Sequence, residues 1–121
     1  MQKGLCCGVW FSYFVLKALA KMGAYEEEYA LITNKSEHSW YNMIKEGATT
    51  CFEAWGKEQK WNTSLCHPWA SSAIIALIED IMGIKGESFY GDSVKTESHM
   101  PNGVKMELKL PGLKGKLEFE G

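Results

Sequence analysis

The sequence predicts a chain that is mainly α-helical up to about residue 83 and β-stranded beyond it. Apolar residues recur at helical spacing over residues 9–22, and a denser apolar run lies between residues 73 and 82. After Gly83 the pattern changes, because apolar and polar residues alternate over 104–110 and 116–120. Alternation places apolar side chains on one face of a strand, so these two segments are predicted strands.

Two helices are expected at the start of the chain. The first covers residues 9–22 and ends at Gly23, because glycine is a common residue at the end of a helix. The second covers residues 24–33 and carries Glu26–Glu28 in its first turn, where the helix dipole favours anions. These three carboxylates are expected to form a solvated helix face.

The middle of the chain is predicted to be a loop between helices. Residues 40–45 are either helical or irregular, and 47–61 form a loop with a short strand or turn near residues 49–52. A long apolar helix then covers 68–82, with Pro68 at its first position, where proline is well tolerated. Because this helix is apolar on nearly all sides, it is expected to be deeply buried.

The β part is short. Residues 111–115 are predicted to join the two strands as a hairpin-like connection. Two strands alone do not form a stable sheet in water. We therefore expect the 121 residues to be a fragment of a larger protein.

Composition excludes several classes of function. The net charge of −2 gives no reason to expect a nucleic-acid or membrane partner, and no apolar run is long enough to span a bilayer. Residues 1–10 superficially resemble a signal peptide, but we interpret them as leading into a core helix without a cleavage site. The compartment stays open between cytoplasm and export, and free thiols favour a reducing one.

The four cysteines are interpreted as buried free thiols, since their spacing fits neither a disulfide scaffold nor a metal site. No metal and no cofactor is expected.

The region around Glu53 has the composition of a sugar-binding pocket. Glu53 is surrounded in sequence by aromatic residues, and His67 follows just before the last helix. Indoles stack on the apolar face of a pyranose, and a carboxylate can move protons at the anomeric carbon. Glu53 could instead be an ordinary, partly exposed glutamate in a loop. His67 could be a residue that only caps the last helix or packs against it.

Other side chains are assigned structural roles. Trp10 and Trp69 are expected in the core, whereas Trp61 is expected to be exposed between polar neighbours. Glu79 and Asp80 are interpreted as the point where the last helix reaches solvent.

Two motifs follow one another in the middle of the chain, Gly47-Ala48-Thr49-Thr50-x-x-Glu53-x-Trp55 and Ser64-Leu65-x-His67. In this order and at this spacing, they make the chain resemble bacterial alpha-L-rhamnosidases. The resemblance runs from Gly8 to Ile84 over the end of their catalytic domain, and residues 85–121 resemble the start of the β-domain that follows.

This resemblance implies a fold and a domain division. It implies that residues 1–84 are the C-terminal end of an (α/α)6 six-hairpin catalytic domain and 85–121 the start of a β-sandwich-type domain. Far fewer helices are expected here than six hairpins contain, so the upstream part of the barrel is an expected partner, and a homo-oligomer is an alternative.

The resemblance also implies a mechanism. Such enzymes are inverting glycosidases, in which one carboxylic acid protonates the leaving oxygen and a second carboxylate activates water. Glu53 is then the general base, His67 contacts the sugar, and Trp55 and Trp40 line the same pocket. The general acid belongs to earlier hairpins, so a rhamnoside-like substrate is expected to be cleaved only by the parent enzyme.

The sequence leaves two alternatives open. The chain could be a non-catalytic remnant that binds carbohydrate or a partner protein through Trp55, Trp61 and their neighbours. It could also derive from another six-hairpin glycosidase with a different glycone.

Overall fold

A computed structural model describes residues 4–85, 94–112 and 114–121. The helical part occupies the first two thirds of the chain, and a hairpin follows it. The three N-terminal helices are α1 (Val9–Lys21), α2 (Tyr25–Ile32) and α3 (Trp40–Lys45). The last helical segment consists of a 3₁₀ turn (Pro68–Ser71), α4 (Ser72–Ala76) and a π-helical turn (Leu77–Ile81). The strands are β1 (Lys105–Leu108) and β2 (Leu117–Glu120).

The first two predicted helices are confirmed, and the third segment is helical. In α1 the buried side chains are Val9, Ser12 and Leu16, which lie on one face at helical spacing. At the start of α3, the backbone N–H of Asn42 donates to the Ser39 hydroxyl at 3.1 Å. This bond satisfies one of the free N–H groups at the helix start, so Ser39 fixes where α3 begins. Of the short strand or turn expected near residues 49–52, the strand is not formed, and residues 49 and 50 are a bend.

The prediction of one long, deeply buried helix over 68–82 is wrong in two respects. The segment changes its hydrogen-bond pattern twice along its length, and Ile74 and Ile75 are exposed. Helix α4 packs on α1, and its opposite side lies open. The segment ends at Gly83, whose φ of +68° places a hypothetical Cβ 1.8 Å from the carbonyl oxygen of Glu97. Only glycine fits there without backbone movement.

The predicted strands pair as an antiparallel two-stranded sheet. Lys105 lies opposite Glu120 and Leu108 opposite Leu117. Apolar side chains of both strands pack against Met82 and Ile84 at the end of the helical segment. This contact gives the hairpin the apolar partner that two isolated strands lack. Of the predicted connection 111–115, residue 113 lies outside the described residues.

The buried residues form two hydrophobic clusters. The larger cluster joins α1, the end of α2, α3, the loop around residue 52 and α4. The smaller one joins residues 82–84 to the hairpin. The mainly helical class with a small antiparallel sheet is thus confirmed. The barrel, the β-sandwich and a domain boundary after residue 84 stay predictions.

Two predictions about polar and sulfur side chains are wrong. Cys6 and Cys66 are exposed, because both lie in non-helical segments outside the packed helix faces. Glu28 and Asp80 are buried, although both were expected in solvent. They face α1, where Lys17 supplies the opposite charge to Asp80 at 2.7 Å.

Candidate functional site

Glu53 is held in the loop between α3 and the 3₁₀ turn by bonds to both of its carboxylate oxygens. Its backbone N–H donates to the Ser64 carbonyl at 2.9 Å, and the Ser64 N–H donates back to Glu53 Oε2 at 3.2 Å. Oε1 forms an ion pair with the Lys60 ammonium group. Lys60, then the Ser64 N–H, then the nearby His67 hold the pKa of Glu53 below its usual range. Glu53 is therefore ionised at neutral pH.

Glu53 lies at the wall of a cavity of about 520 Å³. Trp10 and Trp69 line the cavity and are 54% and 60% exposed, so their ring faces are accessible. Trp55 lines it too but is only 3% exposed. The cavity therefore combines one ionised carboxylate with two open indole surfaces. The remaining described lining residues are Cys6, Cys7, Gly8, Val9, His38, Ala54, Gln59 and Lys60.

Trp40 and Trp55 form a buried pair beneath this cavity. Their rings meet edge to face, with centroids 4.9 Å apart and an interplanar angle of 89°. The Trp40 indole N–H donates to the Ala70 carbonyl at 2.8 Å, and that of Trp55 donates to the Cys7 carbonyl at 2.7 Å. The pair thus ties the Glu53 loop to the residues before α1 and to the 3₁₀ turn. A role of either ring in substrate binding stays a prediction.

His67 and Glu53 line different cavities. His67 contributes to a largely apolar groove of about 820 Å³, which Trp40 also lines. The His67 ring packs on Trp69 with centroids 4.4 Å apart, so Trp69 stands between the groove and the Glu53 cavity. His67 Nε2 is buried and has no hydrogen-bond partner. This ring nitrogen can accept or donate one bond to a ligand.

The structure adds Trp10, Trp69 and His38 to the candidate site. Both indoles were predicted to lie in the core, and that prediction is wrong. A helix that is apolar on nearly all sides but contacts a core on one side must expose an apolar face. The excess of tryptophan was the indication in the sequence, since large amphipathic rings in excess are typical of binding surfaces. Trp61 is 95% exposed, as predicted, and does not line the cavity.

Other chemistry at the site is limited. Within residues 4–85, 94–112 and 114–121, no three His, Cys, Asp or Glu side chains converge to hold a metal ion. Burial raises the pKa of the Cys7 thiol, so this cavity residue is protonated at neutral pH.

None of the helices in the described part of the chain has the length and hydrophobicity needed to cross a membrane.

An ionised carboxylate beside accessible indole rings is a combination that carbohydrate-binding sites use. A family model described as the bacterial alpha-L-rhamnosidase 6 hairpin glycosidase domain matches residues 3–81, more than half of the chain. The chain therefore belongs to this family, and the resemblance seen in the sequence is confirmed. Comparison with curated proteins and with solved structures gives no match.

Proposed function

We propose that this chain carries the general-base side of an inverting glycoside hydrolase that acts on alpha-L-rhamnosides. The observation that carries the proposal is the position of Glu53, ionised and fixed by Ser64 and Lys60, at a cavity with accessible indole rings. Family membership supports a glycosidase parent. The base, the inverting outcome and the substrate are part of the proposal.

In this mechanism Glu53 takes a proton from the water that attacks the anomeric carbon. A carboxylate oxygen has two acceptor positions, so each Glu53 oxygen keeps one for that water beside its existing partner. The ion pair with Lys60 keeps Glu53 ionised but also makes it a weaker base. We infer that Lys60 moves away from Oε1 when the sugar and its water occupy the cavity.

The indoles supply the binding surface in this proposal. Trp10 and Trp69 stack on the apolar face of the pyranose, and Trp55 and Trp40 support the wall behind them. The predicted sugar contact of His67 is made from the neighbouring groove through its unpartnered Nε2. Trp69 packs against the His67 ring and His67 Nε2 is buried, so in this proposal Trp69 moves aside when a sugar in the cavity contacts His67.

The chain supplies only half of the chemistry. Among its described lining residues the cavity holds one carboxylate, whereas inversion needs two, roughly 6.5–9.5 Å apart. In this proposal the general acid is supplied by other helical hairpins of an (α/α)6 barrel. Exposed apolar side chains on α1 and α4 favour such neighbours, since large apolar patches usually mark contact surfaces. These side chains are Phe11, Phe14, Ile74 and Ile75.

The second candidate function is a non-catalytic one. Trp61 is almost fully exposed at a loop outside the cavity, and the apolar faces of α1 and α4 are open. These features also suit a module that binds carbohydrate or a protein partner, including a second copy of this chain.

Hydrolysis of p-nitrophenyl alpha-L-rhamnoside separates the two functions. The assay compares the 121-residue chain with the complete gene product, each with and without Glu53→Gln. Glu58→Gln is the matched control, because Glu58 is an exposed carboxylate in the same loop. We expect activity in the complete gene product, which also supplies the general acid. Glu53→Gln should lower this activity roughly 10²–10⁴-fold, whereas Glu58→Gln should not. Full activity in Glu53→Gln contradicts the assignment of the base, and rhamnose binding without hydrolysis in any form favours the binding module.

A further inference from the structure

A buried cluster of charged side chains lies away from the Glu53 cavity. Glu28 on α2 is 0% exposed, and neither of its carboxylate oxygens has a hydrogen-bond donor. The Asp80 carboxylate of the π-helical turn, which interacts with the Glu28 side chain, is 6% exposed. Lys17 of α1 places its ammonium nitrogen 2.7 Å from Asp80 Oδ2 and 2.7 Å from Glu79 Oε2.

The charges in this cluster do not balance when every group is ionised. One ammonium group faces three carboxylates, and the lysine contacts those of Asp80 and Glu79 rather than that of Glu28. Burying an ionised carboxylate without a donor is strongly unfavourable. A protonated Glu28 removes this problem, because its O–H becomes a donor that the neighbouring Asp80 carboxylate can accept.

We propose that Glu28 is protonated in the folded chain and shares its proton with Asp80, so that loss of this proton loosens the contact between α2 and residues 77–81. The structure then contains a pH-sensitive contact that is independent of the sugar site. Burial, and after it the negative charge of Asp80, raises the pKa of Glu28 to about 8, while Lys17 acts in the opposite direction.

The other groups around Asp80 hold the backbone of the turn in place. His99 lies with Nδ1 2.9 Å from the Asp80 carbonyl oxygen, and its backbone N–H donates to the Ile81 carbonyl at 2.8 Å. Since a carbonyl only accepts, Nδ1 carries the hydrogen. Tyr25, at the start of α2, stacks on the His99 ring at 3.6 Å. The turn and the start of α2 are thus connected through His99 as well as through Glu28 and Asp80.

The sign of the pH effect follows from the raised pKa. The folded chain binds the Glu28 proton more tightly than the unfolded chain, whose glutamates titrate near 4.5. This contribution to stability is complete below that value and is lost as the pH rises towards 8. Within this window the unfolding constant increases by up to about tenfold per pH unit.

Carboxyl ¹³C NMR of the unaltered chain locates the proton directly. We expect one glutamate, assigned to Glu28 by its disappearance in Glu28→Gln, to titrate near pH 8. In Asp80→Asn the Glu28 pKa is expected to fall, because the negative neighbour is lost, but to stay above the usual range through burial. Titration of Glu28 in the usual range of exposed glutamates overturns the proposal.

Urea unfolding provides the second test. At about pH 6 and about pH 9 we compare the unaltered chain with Glu28→Gln and Glu27→Gln, a matched control on the exposed side of α2. Glu28→Gln should lose most of the fall in stability between these pH values, whereas Glu27→Gln should keep it. An equal fall in all three chains overturns the proposal. If Glu28→Gln does not fold, the titration of the unaltered chain decides, with the Glu28 carboxyl signal assigned by through-bond correlation to its own backbone.

Discussion

Glu28 and Glu53 are the same side chain in two regions with opposite properties. Glu28 lies in the interior between α1, α2 and residues 77–81 without a hydrogen-bond partner, and its pKa is raised to about 8. Glu53 lies in a partly exposed loop with an ammonium group and a backbone N–H as partners, and its pKa is lowered. Access to water and to donors therefore decides which carboxylate keeps its proton and which remains charged and available to a substrate.

The largest expected effect on stability is at the wall of the Glu53 cavity, compared with an exposed position outside it. Trp55→Ala removes a buried ring and its hydrogen bond to Cys7, so we expect a loss of about 3–5 kcal/mol in the free energy of unfolding. Trp61→Ala, at a 95% exposed position, should change it by less than about 0.5 kcal/mol. Urea unfolding measures both. Equal losses would mean that the Trp40–Trp55 pair does not support the loop.

Removing the lysine from each region tests the contrast itself. Lys17→Met leaves Asp80 buried with an uncompensated charge, and we expect a loss of about 2–3 kcal/mol, reduced by the partial exposure of Lys17. Lys60→Met breaks an exposed pair and should leave the unfolding free energy nearly unchanged. Thermal or urea unfolding of both variants is the measurement. A greater loss for Lys60→Met would reverse the assignment of the interior and surface regions.

Lys60→Met should instead change the titration of Glu53. Because Lys60 is the main cause of the lowered pKa, that pKa should rise towards the usual range of glutamate in the variant. The lowered pKa stabilises the fold at neutral pH, and this small effect is lost as the pH falls below the usual glutamate range. This sign is opposite to that of Glu28. Carboxyl NMR of the unaltered chain and the variant measures the shift, and an unchanged Glu53 pKa would show that the ion pair is not formed in solution.

The smallest expected effect concerns the accessible rings. Trp69→Ala should leave stability almost unchanged but weaken rhamnose binding roughly two- to tenfold, through loss of one stacking surface. Calorimetric titration with L-rhamnose measures the affinity, with Trp61→Ala as control. Equal affinity in both variants would place the sugar elsewhere.

The elements of the fold were largely predictable because they depend on local periodicity. Helices α1 and α2 and both strands follow the spacing of their apolar residues, and Gly83 ends the last helix as expected. The burial of the last helix was not predictable in this way. When apolar residues surround a helix, the pattern does not indicate which face the core will cover, and Ile74 and Ile75 are exposed for that reason.

The residues of the candidate site that belong to a sequence motif were predictable. The contacts between segments distant in the sequence were not. Glu53 and His67 were singled out by sequence pattern, whereas the ion pair of Glu53 with Lys60 depends on the path of the loop. Glu28 was expected in solvent because its neighbours Glu26 and Glu27 suggest a charged surface. Its burial depends on Lys17 and Asp80, which lie on other elements and leave no local pattern around α2.

The central claim is that the Glu53 cavity binds the sugar. It is tested most directly by titrating L-rhamnose into the ¹⁵N-labelled chain and following the indole N–H signals of its five tryptophans. We predict that the signals of Trp10 and Trp69 shift with a common affinity, that Trp55 follows them, and that Trp61 stays unchanged. Shifts confined to Trp61, or no shift at saturating sugar, would contradict the account.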